Sequence, residues 1–168
     1  SITVVSVASN ENTKISVYPT PAQANVTIDY YLNEEANDIK LEIFSKNEAG
    51  KIIKIRSYSN KDTLYKIGDV NIPHYWIRPQ QILSTEEGHH RFMWDMKYDP
   101  LNIPPSYPIG ANYMNTAPDQ TSPWVMPGNY IVRLTIDGKV HERSISIKMD
   151  PRVKTLPKDL HLQCNLSL

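Results

Sequence analysis

The chain has 168 residues, and its 18 lysines and arginines match its 18 aspartates and glutamates, so it carries no formal net charge and argues against nucleic acid as a partner. It is long enough to bury a core without metal or disulfide help; 13 prolines and 10 tyrosines against 6 glycines suit a β domain with rigid loops, not disorder. A single cysteine, Cys164, rules out an intrachain disulfide framework, and no apolar run approaches the ~20 residues of a membrane span.

Residues 1–13 read as a linker or edge strand, with an apolar run at Ile2–Val7 followed by the polar SNENTK. The chain opens directly in strand-like SITVVSV, so it is read as a piece of a longer chain whose export signal would lie upstream. After a short apolar run at Ile15–Tyr18 and the break PTPAQ, Val26, Ile28, Tyr30 and Leu32 alternate with Thr27, Asp29 and Tyr31. That period of two predicts a half-buried strand. NEEAND (33–38) is a polar turn, and Ile39, Leu41 and Ile43 alternate with Lys40 and Glu42 as a second strand. KNEAG (46–50) closes a hairpin-like loop with Gly50 in the left-handed position. Residues 51–57 predict a third strand whose register is ambiguous, because Ile52, Ile53 and Ile55 span both parities.

Residues 58–87 show no sustained period and read as an ordered loop containing HYWIRPQQ (74–81). His90, Phe92, Trp94 and Met96 then share one parity, and the two large rings suit the centre of a sheet packing. Residues 99–128 form a second long loop, rich in proline and pinned by packing. Tyr130, Val132, Leu134 and Ile136 alternate up to Asp137-Gly138, the dipeptide a type I′ hairpin turn favours because both central residues need positive φ. The return strand sets Ile145, Ile147 and Met149 opposite Ser144, Ser146 and Lys148. Leu156, Leu160 and Cys164, four apart, begin an amphipathic helix within 151–168, a linker and the start of a helix that runs on beyond this chain.

Six or seven short alternating strands predict an all-β fold over 14–150, an immunoglobulin/fibronectin-III-like antiparallel β-sandwich with long proline-rich loops. Its expected core is Val26, Ile28, Tyr30, Ile39, Leu41, Ile43, Phe92, Trp94, Tyr130, Val132, Leu134, Ile145 and Ile147.

Catalytic signals are sparse. Glu34-Glu35 and Glu86-Glu87 are adjacent pairs in polar turns and read as solvated charge. Asp95 and Asp99 flank Lys97, but a glycosidase needs two carboxylates facing each other across a cleft, and a small sandwich offers no natural one. Asp95 reads instead as a cap on backbone N–H groups where its strand leaves the sheet. His89 and His90 point to opposite faces, His74, His141 and His161 are isolated, and no metal, phosphate-loop or GxSxG spacing occurs. No catalytic, metal or cofactor residue is assigned. Cys164 reads as small apolar filler on a helix face. The loop aromatics Tyr75, Trp76, Tyr107, Tyr113 and Trp124 remain as candidate carbohydrate or domain-interface contacts.

The strings NIPHYWIRPQQILSTEEGHHRFMWDMKYDP and PWVMPGNYIVRLTIDGKVHERSISIKMDPRVKT, with VTIDYYLNEEANDIKLEIFSKNEAGKIIK before them, carry a resemblance. Over roughly residues 25–165 the chain resembles the C-terminal region of bacterial BNR-repeat, sortilin-type β-propeller proteins that bear the label glycosyl hydrolase. The smaller pattern of I-x-x-x-G-K, WD and PG-Y also looks like immunoglobulin-like domains of hook-cap type. The resemblance implies a non-catalytic accessory domain packed against an upstream propeller of the same, exported protein, with hydrolase chemistry sought in the propeller. The alternative is a carbohydrate-binding module, which would need two or three coplanar exposed aromatics on one face.

Overall fold

The computed structural model describes residues 15–20, 25–46, 50–64, 68–100, 113–117, 122–149 and 155–167. The expected linker at 1–13 lies outside them. The described strands are β1 (Ile15–Thr20), β2 (Asn25–Leu32), β3 (Ile39–Lys46), β4 (Ile52–Ser59), β5 (Gly88–Trp94), β6 (Gly128–Ile136) and β7 (Lys139–Ile147), followed by helix α1 (Pro157–Ser167). They form two antiparallel sheets, β1-β2-β5 and β4-β3-β6-β7. The fold is an all-β sandwich.

The alternating residues read from the sequence face each other between the sheets. Val26, Ile28 and Tyr30 from β2, Phe92 and Trp94 from β5, Ile39, Leu41 and Ile43 from β3, and Tyr130, Val132 and Leu134 from β6 belong to one buried cluster. Two ring contacts cross the sheets: Trp94 meets Tyr130 edge-on at 5.9 Å, and Tyr58 meets Phe92 at 4.6 Å. Each large side chain buried here contributes roughly 1.5–3 kcal/mol before chain entropy is subtracted. The expected core is too generous at one place. Ile145 and Ile147 lie on β7, an edge strand with no neighbour beyond it among the described residues, and remain only partly buried.

Two turns organise the ends. Asp137 and Gly138 have φ of 45° and 83°, the left-handed pair the hairpin between β6 and β7 requires. The Asp137 carboxylate accepts the backbone N–H of Asn37 at 3.0 Å and of Asp38 at 2.9 Å, which ties this hairpin to the turn between β2 and β3. Gly50, between β3 and β4, has φ 78° as expected.

The ambiguous parity of Ile52, Ile53 and Ile55 has a structural cause. Ile43 pairs with Arg56 and Phe44 with Lys54, so Ile55 is an extra residue in β4, a β-bulge. The bulge shifts the side-chain alternation by one. Ile55 is buried, while Ile52 and Ile53 are both exposed on this edge strand. Downstream of the bulge, Arg56 lies opposite Ile43 and Tyr58 opposite Leu41, both on the core-facing side. The bulge therefore turns a guanidinium inward at the rim of the core.

On β6, the Tyr130 hydroxyl donates to the Met126 carbonyl four residues upstream. On β2, the Tyr30 hydroxyl donates to Ser84 O at 2.9 Å and anchors the loop that precedes β5. In α1 the Cys164 thiol is buried and donates to the Tyr98 hydroxyl at 3.7 Å, which agrees with its reading as filler. Leu160 is half-buried, but Leu156 lies ahead of the helix and is exposed. No described helix is long and apolar enough to cross a membrane.

Candidate functional site

The loop expected to cross the domain as an ordered segment contains one turn of 3-10 helix, His74–Trp76. It is stapled to residues 113–117, some forty positions later in the chain. Ile77 and Ala117 form a parallel bridge. Arg78 N–H donates to Ala117 O at 2.7 Å, Ala117 N–H to Trp76 O at 2.9 Å, and Asn115 N–H to Tyr75 O at 3.1 Å. Beneath these bonds Ile72, Ile77 and Ala117 make a second small core, with Val70 and Trp76 packed against it. Positive φ at Met114 and Asn115 turns the second segment, and Tyr113 N–H donates to the Thr116 hydroxyl at 2.8 Å.

This staple presents apolar side chains outward. Tyr75 is 64% exposed, Tyr113 67% and Met114 53%. Trp76 is half-buried in the small core. The Tyr75 and Trp76 rings stand at 87° with centroids 6.2 Å apart, so they form an angled corner and not a shared plane. Trp124 sits on a different segment. It bridges Lys97 in antiparallel fashion, the Lys97 ammonium lies 6.0 Å from its ring centre, and the ring is 55% exposed. The structure thus brings Tyr75, Trp76 and Tyr113 together and holds Trp124 separately; Tyr107 lies outside the described residues.

The second feature is a cleft, contrary to the expectation that so small a sandwich would have none. It has a volume of about 110 Å³ and opens between the edges of β4 and β5, the sides of the two sheets that no strand covers among the described residues. Arg56, Tyr58, Asp62, Arg78, Asp95 and Asp99 supply its polar wall, and the edge of the buried Phe92 also lines it. Arg56 donates to Tyr98 O, lies 3.8 Å from Asp99 and stacks 5.1 Å above the Tyr58 ring. Burial pushes the Tyr58 phenol above its ordinary range despite the pull of Arg56, so it stays protonated. Asp95 caps Lys97 N–H at 3.2 Å, the role expected of it, and Asp62 accepts Ser59 N–H at 2.8 Å. The Gln81 side chain takes both Met93 N–H and Met93 O, at 3.1 and 3.0 Å, as a neighbouring strand would.

Sequence reasoning missed Arg56, Asp62 and Arg78, because the cleft depends on a bulge and on two strands from different sheets meeting at their edges. The mixed parity of IIKIR was the available signal for the bulge.

Elsewhere, buried Asp29 receives a two-pronged contact from Arg91 at 2.8 and 3.0 Å, with His89 at 3.8 Å, while His90 packs on Tyr30 from the opposite face. Among the described residues no three His, Cys, Asp or Glu side chains gather as a metal-binding group. No protein-family model and no curated protein matches the chain.

Proposed function

We propose that this chain is a non-catalytic accessory β-sandwich of an exported bacterial β-propeller protein of glycosyl-hydrolase type, and that it packs against the propeller. The observation that carries this reading is the stapled loop face. Tyr75, Tyr113 and Met114 are exposed on segments that three backbone hydrogen bonds hold in place. Aromatic and methionine side chains held on a rigid surface are the usual centre of a protein interface. The right angle between Tyr75 and Trp76 favours interlocking with another protein over stacking on a flat sugar.

The immunoglobulin-like part of the proposal draws support from topology. An immunoglobulin constant-type sandwich places its seven strands as 1-2-5-4 and 3-6-7. Here the order is 1-2-5 and 4-3-6-7, the same plan with the fourth strand moved across to pair with the third. Tyr130, near the start of the sixth strand and bonded back to Met126, matches the tyrosine corner of such domains.

The second reading, a carbohydrate-binding module using the loop aromatics, draws on Trp124, whose exposed ring is held by Lys97. Two parallel titrations separate the readings: the chain against the separately expressed propeller, and the chain on a glycan array. Binding to the propeller, without a glycan signal that depends on Trp76 or Trp124, is the expected outcome. A reproducible glycan signal lost in Trp76→Ala or Trp124→Ala would reverse the order.

A further inference from the structure

We propose that the cleft between β4 and β5 binds a single neutral sugar residue. Only the backbone of Arg78 links it to the stapled face, and it shares no side chain with Tyr75, Tyr113, Met114 or Trp124, so it stands apart from both readings above.

The polar wall sets three carboxylates, Asp62, Asp95 and Asp99, against two guanidiniums, Arg56 and Arg78. The near balance disfavours a phosphate or sulfate, which would meet three carboxylates, and a diamine, which would meet two cations. A neutral ligand that both donates and accepts at several points suits such a wall. The hydroxyl groups of a pyranose do this, each offering one donor and two acceptor lone pairs.

The capacity is present. Asp62 and Asp95 each spend one carboxylate oxygen on a backbone N–H, and the other oxygen has no partner among the described residues. The Arg78 side chain is exposed at the cleft and makes no hydrogen bond or ion pair among the described residues. Its main chain is fixed by the bond from its N–H to Ala117 O at 2.7 Å, so the guanidinium is carried on a pinned backbone. Arg56 is held by Tyr98 O and Asp99, which fixes a second guanidinium in the lining. A space of about 110 Å³ holds several water molecules at ~10–15 Å³ each and admits one ring, not an extended chain.

The test is ligand-observed NMR titration of the chain with free glucose, galactose, mannose, xylose and N-acetylglucosamine, with inorganic phosphate and putrescine as charged comparators. The expected result is saturable binding of at least one of the sugars. Arg78→Ala should weaken it about tenfold or more, the effect of removing a hydrogen bond from a charged donor. The melting midpoint should not change, because no described contact of the folded domain uses that guanidinium. Tyr75→Ala and Trp124→Ala should bind the sugar as the parent chain does. The proposal is overturned if none of the five sugars binds, if only phosphate or putrescine binds, or if sugar binding survives Arg78→Ala and is lost in Trp124→Ala.

Discussion

Asp137 and Asp38 hold each other across the sandwich end. The Asp137 carboxylate accepts the Asp38 N–H at 2.9 Å, and the Asp38 carbonyl accepts the Asp137 N–H at 2.9 Å. One residue thus supplies the positive φ of its own hairpin and the acceptor that fixes a turn 99 positions earlier in the chain. Asp137→Ala loses the acceptor and places a side chain that disfavours the left-handed region at φ 45°. It should destabilise the domain by about 1–3 kcal/mol. Asp137→Asn keeps an acceptor and tolerates that φ, and should cost clearly less. Chemical denaturation of the two variants checks the order.

Trp94 is fully buried, meets Tyr130 across the sheets, and donates its indole N–H to Lys97 O at 3.2 Å. Trp94→Ala should cost about 3–5 kcal/mol or abolish folding. A circular-dichroism melt with an unchanged midpoint would remove Trp94 from the core.

The bulge makes an unusual forecast for three isoleucines that lie within four positions of each other. Ile55→Ala should cost about 2–4 kcal/mol, since its side chain is 5% exposed. Ile52→Ala and Ile53→Ala, at 48% and 45% exposed, should each cost less than about 1 kcal/mol. Equal losses at all three positions, read by urea titration, would contradict the register described for β4.

Burial pushes the Tyr30 and Tyr130 phenols up to about 12 from the ordinary 10.0. Between those values the folded chain holds protons that the unfolded chain has released. Stability is therefore fully present below pH 10 and falls as pH rises toward 12. Alkaline unfolding followed by tyrosinate absorbance should show these two rings ionising together with loss of structure. Tyr130→Phe removes one of the two phenols and should flatten that fall. At neutral pH it should cost about 1–2 kcal/mol, by leaving the Met126 carbonyl without its donor.

The central strands were legible because apolar residues facing a shared core write their period into the chain: Val26 to Leu32, Ile39 to Ile43 and Tyr130 to Ile136 alternate cleanly and form strands with those residues buried, although β2 also buries Thr27 and Asp29 on the face expected to be open. Asp137-Gly138 was equally legible, since few dipeptides suit two successive positive φ values. Edge strands were harder. On β7 the alternation was right, but it could not reveal that the strand carrying Ile145 and Ile147 lies at the sheet edge among the described residues. On β4 the bulge at Ile55 broke the period. The candidate aromatics were found by type and by their place in loops, but which of them meet depends on a bridge between Ile77 and Ala117 that no local pattern encodes. The cleft was illegible for the same reason, being made by Arg56, Arg78 and Asp95 from three separated segments.

The docking account turns on Tyr75 and Tyr113, exposed on the stapled loops. The measurement that tests it most directly is titration of the 168-residue chain, and of its Tyr75→Ala/Tyr113→Ala variant, against the separately expressed propeller region. The account predicts saturable binding by the parent chain. It also predicts a loss of about tenfold or more in the variant, with an unchanged melting midpoint. Absence of binding by the parent chain, or equal binding by both, would contradict it.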